Sequence, residues 1–156
     1  GGLGVPERPG QLRLDLAAFD EAIAQIRAGL GDCRIWMEPG RYIAAEMGVL
    51  LARVTQLKSK GDVHYIGVAT GMNSLIRPAL YGAHHEIFNL TRLDEPASGI
   101  YTVVGPICES GDQLGADRLL PGTREGDILL IANAGAYGHA MSSHYNLRPP
   151  AEEILI

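Results

Sequence analysis

Lysine is nearly absent from this sequence: among 156 residues only Lys58 and Lys60 occur, and the formal net charge is −5 with a pI near 5.5. Binding nucleic acid requires a basic face that neutralises phosphates, so a nucleic-acid partner is excluded. A small anionic ligand held by a few placed arginines is not. Cysteine is also sparse, with Cys33 and Cys108 too few for a disulfide framework. No apolar run reaches the roughly 18 residues of a membrane-spanning helix, and none has the flanks of a secretory signal. No membrane partner is expected, and the setting expected is cytoplasmic. An initiator methionine and a polar tail are lacking too. The chain opens on Gly1-Gly2-Leu3-Gly4, a turn of the kind that normally follows a strand, and closes on the apolar Glu153-Ile154-Leu155-Ile156. Both ends read as cuts in a longer protein.

What is present is an ordinary globular composition, 46% hydrophobic and 20% charged, sufficient to bury a core. The hydrophobic period changes once. After Asp15, a candidate N-cap, Leu16, Phe19, Ile23, Ile26 and Leu30 fall at helical spacing, and Gly29 and Gly31 supply the stop. Ile35-Trp36-Met37 then reads as a short buried strand ending at Glu38-Pro39-Gly40-Arg41. Residues 1–41 thus form a βα-type piece, and residues 42–156 have the texture of a β domain. Strands are expected over residues 46–57, 63–68, 87–91, 100–104, 127–133 and 144–147. The first two are joined by a turn at Lys58-Ser59-Lys60-Gly61, and one helix interrupts the series at residues 74–81. Short strands at this spacing form a β-sandwich or a small barrel.

Five segments carry residue types suited to chemistry. Glycines at positions 1, 2 and 4, before a helix, fit either a phosphate-binding turn or a plain structural one. Glu38-Pro39-Gly40-Arg41 stands at a strand end, where the carboxylate can hold a protonated pyridine nitrogen and the arginine an anion, or the two can form a loop ion pair. Arg77 and Tyr81, four apart in a helix, either clamp a carboxylate or pack independently. In Gly105-Pro106-Ile107-Cys108-Glu109-Ser110-Gly111-Asp112, an exposed Cys108 can deliver a proton and Glu109 can receive an ammonium; a buried Cys108 would be a small hydrophobe. Tyr137, in Asn133-Ala134-Gly135-Ala136-Tyr137-Gly138, stands on a glycine-flanked turn where its hydroxyl meets either a ligand or water. His84, His85, His139 and His144 have no metal-site spacing, and structural roles are expected for them.

The order of these segments resembles the fold-type III pyridoxal-phosphate (PLP) decarboxylases, the family of ornithine, arginine and diaminopimelate decarboxylases. The matching stretches are Gly-Gly-Leu-Gly, Glu-Pro-Gly-Arg, Met72 to Tyr81, Gly105 to Asp112, Gly135-Ala136-Tyr137 and the pair Tyr145-Asn146. The resemblance implies a (β/α)8 barrel carrying PLP followed by a β-domain, with residues 1–41 the last portion of the barrel, in a homodimer with shared active sites. It implies that Gly1, Gly2 and Gly4 lie near the cofactor phosphate, and that Glu38, in the Glu38-Pro39-Gly40-Arg41 loop, pairs with the pyridine nitrogen. Arg41 would face phosphate and substrate, Arg77 and Tyr81 would bind substrate, and Tyr137 would touch both cofactor and substrate. Cys108, as proton donor, and Glu109 would enter the neighbouring subunit's site. Cys-Glu-Ser at positions 108–110 resembles the diaminopimelate enzymes, whereas ornithine-type enzymes read Cys-Asp. The reaction implied is therefore decarboxylation of meso-2,6-diaminopimelate to L-lysine. Other diamino acids (ornithine, lysine, carboxynorspermidine) and a non-catalytic dimerisation or regulatory module are the alternatives. Two departures stand out. Ala69-Thr70-Gly71 replaces the usual Asp-Ala-Gly, and the lysine to which the family attaches PLP is missing, so these 156 residues alone are expected to show no turnover.

Overall fold

The structure, a computed structural model, describes residues 2–156, and the expectation for Gly1 lies outside the described residues. Asp15 starts α1 (Leu16–Gly29) as its sequence position implies. Its carboxylate accepts the N–H groups of Ala17 and Ala18, each at 3.0 Å, satisfying two donors that the first turn leaves unpaired. The apolar side of α1 meets Leu3, Met37 and Tyr42 in an open groove, and no residue of the helix is buried. Ile35-Trp36-Met37 is not a strand, and it is not buried: Trp36 is 86% exposed. Backbone polar groups of a strand need a neighbouring ladder, and no described strand runs beside this segment.

The β domain is one six-stranded sheet in the order β3-β6-β1-β2-β4-β5. Its strands are β1 (Leu50–Lys60), β2 (Val63–Val68), β3 (Ile87–Asn89), β4 (Gly99–Val104), β5 (Gln113–Leu120) and β6 (Ile128–Ile131). Edge strands β3 and β5 come together, so of the two all-β forms expected the nearly closed barrel is the one formed. Alternation along β1 sends Leu50, Ala52 and Val54 inward and leaves Leu51, Arg53 and Thr55 outside. Inside they meet Ile66, Val68, Leu75, Val103, Leu114, Leu129 and Ile131, all 1% exposed or less.

Several elements differ from expectation, among them the strands expected over residues 87–91 and 127–133, which shorten to β3 and β6. Lys58 and Lys60 are not in the hairpin turn: they pair with Tyr65 and Val63, and the chain reverses at residues 61–62, where Gly61 takes the left-handed conformation (φ +58°). Residues 45–47 form a 3₁₀ turn that continues α2 (Gly40–Ala44), which delays β1. Residues 145–147 are also a 3₁₀ turn, since Asn146 and Leu147 have φ of +56° and +58°, incompatible with an extended strand. β5 is unanticipated, and its ladder with β4 slips in register where Asp117 adopts φ +53°. The expected helix at residues 74–81 shortens to α3 (Arg77–Tyr81), closed by Gly82 at φ +63°.

Asp127, at the start of β6, ties the closure together. Its Oδ2 accepts from Asn89 Nδ2 at 3.0 Å, Arg92 Nε at 2.8 Å and the Arg124 N–H at 2.9 Å. Burial raises its pKa, but the three donors and the Arg92 charge outweigh this and hold it below the ordinary carboxylate value. With the native pKa depressed, the contribution to stability is complete above the unfolded pKa and is lost as pH falls through the native one. Asp127→Asn should therefore flatten the fall of the urea midpoint below about pH 4. A variant curve parallel to the native one would contradict this assignment.

Candidate active site

Three motifs far apart in sequence converge at one end of the barrel. Arg41 lies in the first turn of α2, which begins directly after Glu38-Pro39. The turn after β6 docks on the same helix. Ala134 N–H donates to Gly48 O at 2.8 Å, Gly135 N–H donates to Ala45 O at 3.1 Å, and a Cβ on Gly135 would collide with the Ala44 carbonyl oxygen. This seating presents Tyr137, itself at φ +62°, to the third element. On α3, Arg77 is 7% exposed and its Cζ lies 6.0 Å from the Tyr137 ring centroid, at the limit of a cation–π contact.

His85 fixes the arginine from behind. Its Nδ1 is 2.8 Å from the Ala132 carbonyl, which can only accept, so Nδ1 carries the proton and Nε2 is free to accept from Arg77 Nη1 at 3.3 Å. Burial pushes the His85 pKa down, in keeping with this neutral tautomer. In front, Arg77 Nη2 and Arg41 Nη1 both donate to one oxygen, Glu7 Oε1, at 3.5 and 3.2 Å. Two guanidinium groups facing a single carboxylate oxygen form an anion clamp.

Cys108 and Glu109 sit on a second, rigidly held loop. Asp112, 3% exposed, accepts the Met72 N–H at 2.6 Å on one oxygen and the Ile107 N–H at 2.7 Å on the other. It thereby links this loop to the segment leading into α3. Gly71 and Gly105 permit that approach, since a Cβ on either would overlap the Asp112 carboxylate. Burial raises the Asp112 pKa against the pull of the two N–H donors. Cys108 and Glu109 are exposed, and Tyr145 donates its hydroxyl to Glu109 Oε2 at 3.1 Å. The hydrogen bond to Glu109 and that residue's charge raise the Tyr145 pKa.

The unusual Ala69-Thr70-Gly71 supplies its own local bond, Thr70 Oγ1 to Ser74 Oγ at 2.5 Å, and Ser74 Oγ also accepts the Ala151 N–H at 2.8 Å. Other expected residues stand apart from the clamp. Tyr81 is 65% exposed, unlike Arg77 one turn earlier. Glu38 is exposed, Pro39 half-buried, and Gly2, Gly4 and Gly40 have open space where a Cβ would project. Sequence reasoning gave no role to Glu7 or Asp112, and expected for His85 a structural one, which its bonds to Ala132 O and Arg77 supply. Only Asp112 left a signal, closing the Gly105–Asp112 motif with Gly71 and Gly105 as its matching small residues.

Residues 41–135 match the family model described as "Pyridoxal-dependent decarboxylase, C-terminal sheet domain". The chain belongs to this decarboxylase family. It is 47% identical over 125 residues to the diaminopimelate decarboxylase of Archaeoglobus fulgidus, covering 80% of this chain and 30% of the relative. With that of Methanothermobacter thermautotrophicus it shares 44% identity over 163 residues, covering 100% of this chain and 38% of the relative. The crystal structure of diaminopimelate decarboxylase from Helicobacter pylori complexed with L-lysine superposes with a TM-score of 0.84 at 38% identity, covering 96% of this chain and 36% of that one. The chain therefore spans between 30% and 38% of the lengths of these two curated relatives.

The residues present fit the family's cofactor by their chemistry. Gly2, at φ +91°, and Gly4 leave backbone N–H groups approachable to a phosphate, and Glu38 is an exposed carboxylate. Arg41 and Tyr137 are joined to each other through Glu7 and Arg77.

Proposed function

We propose that this chain is the C-terminal part of a PLP-dependent decarboxylase that converts meso-2,6-diaminopimelate to L-lysine and carbon dioxide in the cytoplasm. In this reading residues 1–41 are the last portion of the PLP-binding barrel and residues 42–156 the C-terminal β-domain. The observation that carries it is the convergence of Arg41 and Arg77 on one carboxylate. Diaminopimelate brings a carboxylate at its distal end as well as at the reacting carbon, whereas ornithine and lysine do not, so a two-arginine clamp distinguishes them by charge. The curated relatives that bear the diaminopimelate name support the same reading.

PLP, when bound, supplies the electron sink that lets carbon dioxide leave. Gly2 and Gly4 offer N–H groups to its phosphate, Glu38 keeps the pyridine nitrogen protonated, and the Pro39-Gly40 turn sets the spacing from Glu38 to Arg41. Arg41 and Arg77 take the substrate carboxylate, and Tyr137, beside Arg77, closes that side of the pocket and touches both cofactor and substrate. Tyr81 lies on the solvent side of α3, where a bound substrate or a second subunit reaches it. Cys108 and Glu109 serve the site of the neighbouring subunit in a homodimer. There the Cys108 thiol gives its proton to the substrate carbon that has lost carbon dioxide, and Glu109 receives the distal ammonium.

The test is lysine release from meso-diaminopimelate by the full-length parent, with ornithine as a parallel substrate. Arg77→Ala should lower kcat/KM for diaminopimelate by about 30- to 4,000-fold, the loss expected when one partner of a buried charge pair is removed. Equal activity on ornithine, or diaminopimelate turnover indifferent to Arg77, would overturn the reading.

A further inference from the structure

Glu7 belongs to no motif, yet its placement is closely controlled. The preceding Pro6 carbonyl accepts Asn133 Nδ2 at 2.9 Å, and Gln11 Oε1 accepts the N–H groups of Glu7 and Arg8 at 2.7 and 3.0 Å. A compact turn pinned at both ends thus aims this carboxylate at the clamp. Its grip there is loose. Only Oε1 is used, at 3.2 and 3.5 Å, where ionised N–H···O contacts settle near 2.7–2.9 Å, and one negative charge faces two positive ones.

We propose that Glu7 is the resting occupant of the Arg41–Arg77 clamp and thereby a specificity-determining residue. A substrate enters by exchanging its own carboxylate for that of Glu7. This rests on the reading of the clamp as the substrate-carboxylate site. A free carboxylate can approach both guanidinium groups at optimal distance and displaces Glu7. An amino acid lacking a distal carboxylate cannot, and its distal ammonium meets two uncompensated arginines if Glu7 withdraws. Because a closed clamp lowers apparent affinity by the fraction of open molecules, removing the Glu7 charge strengthens carboxylate binding selectively.

The experiment uses the full-length holoenzyme with Glu7→Gln, Glu7→Asp and Arg77→Ala. It measures steady-state kinetics on meso-diaminopimelate and ornithine, and competitive inhibition by pimelate, a dicarboxylate with no amine to react. Glu7→Gln should lower the pimelate inhibition constant and the KM for diaminopimelate by ~5-fold or more, without a matching gain for ornithine. Glu7→Asp, which keeps the charge one methylene short, should fall between native and Glu7→Gln. If Arg77→Ala weakens pimelate while Glu7→Gln leaves it unchanged, or shifts both substrates equally, the role of Glu7 is overturned and the clamp stands. If Arg77→Ala leaves pimelate inhibition intact, the clamp itself fails and the proposal with it.

Discussion

Replacing Cys108 with alanine in the full-length parent should reduce kcat by about 100- to 10,000-fold, the usual worth of a positioned proton donor, while stability moves by no more than about 0.5 kcal/mol. The separation of the two effects follows from how the loop is built. The thiol is exposed, whereas the loop's shape is set by Asp112 on the Met72 and Ile107 N–H groups and by Glu109 N–H on Ile107 O at 2.8 Å. Removing the sulfur therefore removes the proposed acid and leaves the scaffold. A mixing experiment then tests whether sites are shared. Cys108→Ala and Arg77→Ala subunits, each strongly impaired alone, should regain about a quarter of native activity when mixed if the parent is the proposed homodimer, because half the dimers are then hybrids and each hybrid rebuilds one complete site. No recovery in verified hybrids would place Cys108 in its own subunit's site or outside the chemistry.

The largest effect on stability is expected at Asp112. Asp112→Ala strands two backbone donors in the interior, each costing about 1–3 kcal/mol, for a total of about 2–6 kcal/mol by urea unfolding. Asp112→Asn is not a mild substitute, since the two carboxylate oxygens serve different N–H groups and an amide would turn a donor toward one of them. Gly71→Ala should cost a similar amount by forcing the carboxylate away. Activity in the parent should fall with either change, because the same carboxylate joins the Cys108 loop to the segment carrying Arg77. A loss under about 1 kcal/mol for Asp112→Ala would mean that water or a neighbouring group takes over both donors.

The β domain was legible where alternation was clean. β1, β2, β4 and β6 follow runs of apolar residues bounded by turn residues, and the α1 cap was visible in Asp15. β5 was not, because Gly115, Asp117 and Arg118 interrupt its pattern and its bulged backbone tolerates them. The Trp36 segment misled in the opposite direction, since apolar β-type residues form a strand only beside another strand. At the candidate site, Arg41, Arg77 and Tyr137 were named from motifs and are brought together by the fold. Glu7 and His85 were not. They act through tertiary placement, one across a loop and the other behind Arg77, and neither leaves a local pattern.

The order of strands in the sheet also bears on how the protein is made. Arg53 of β1 pairs with Ile128 of β6, about 75 residues later in the chain. At translation rates of ~5–20 residues per second, one edge of the β1–β2 hairpin stays unpaired for ~4–15 s after its own synthesis. That edge carries the apolar Leu51, with Leu57 and Val63 further along the hairpin, a combination that invites pairing with other nascent chains. Soluble yield on overexpression should therefore depend on growth temperature and chaperone supply more than equilibrium stability alone would dictate.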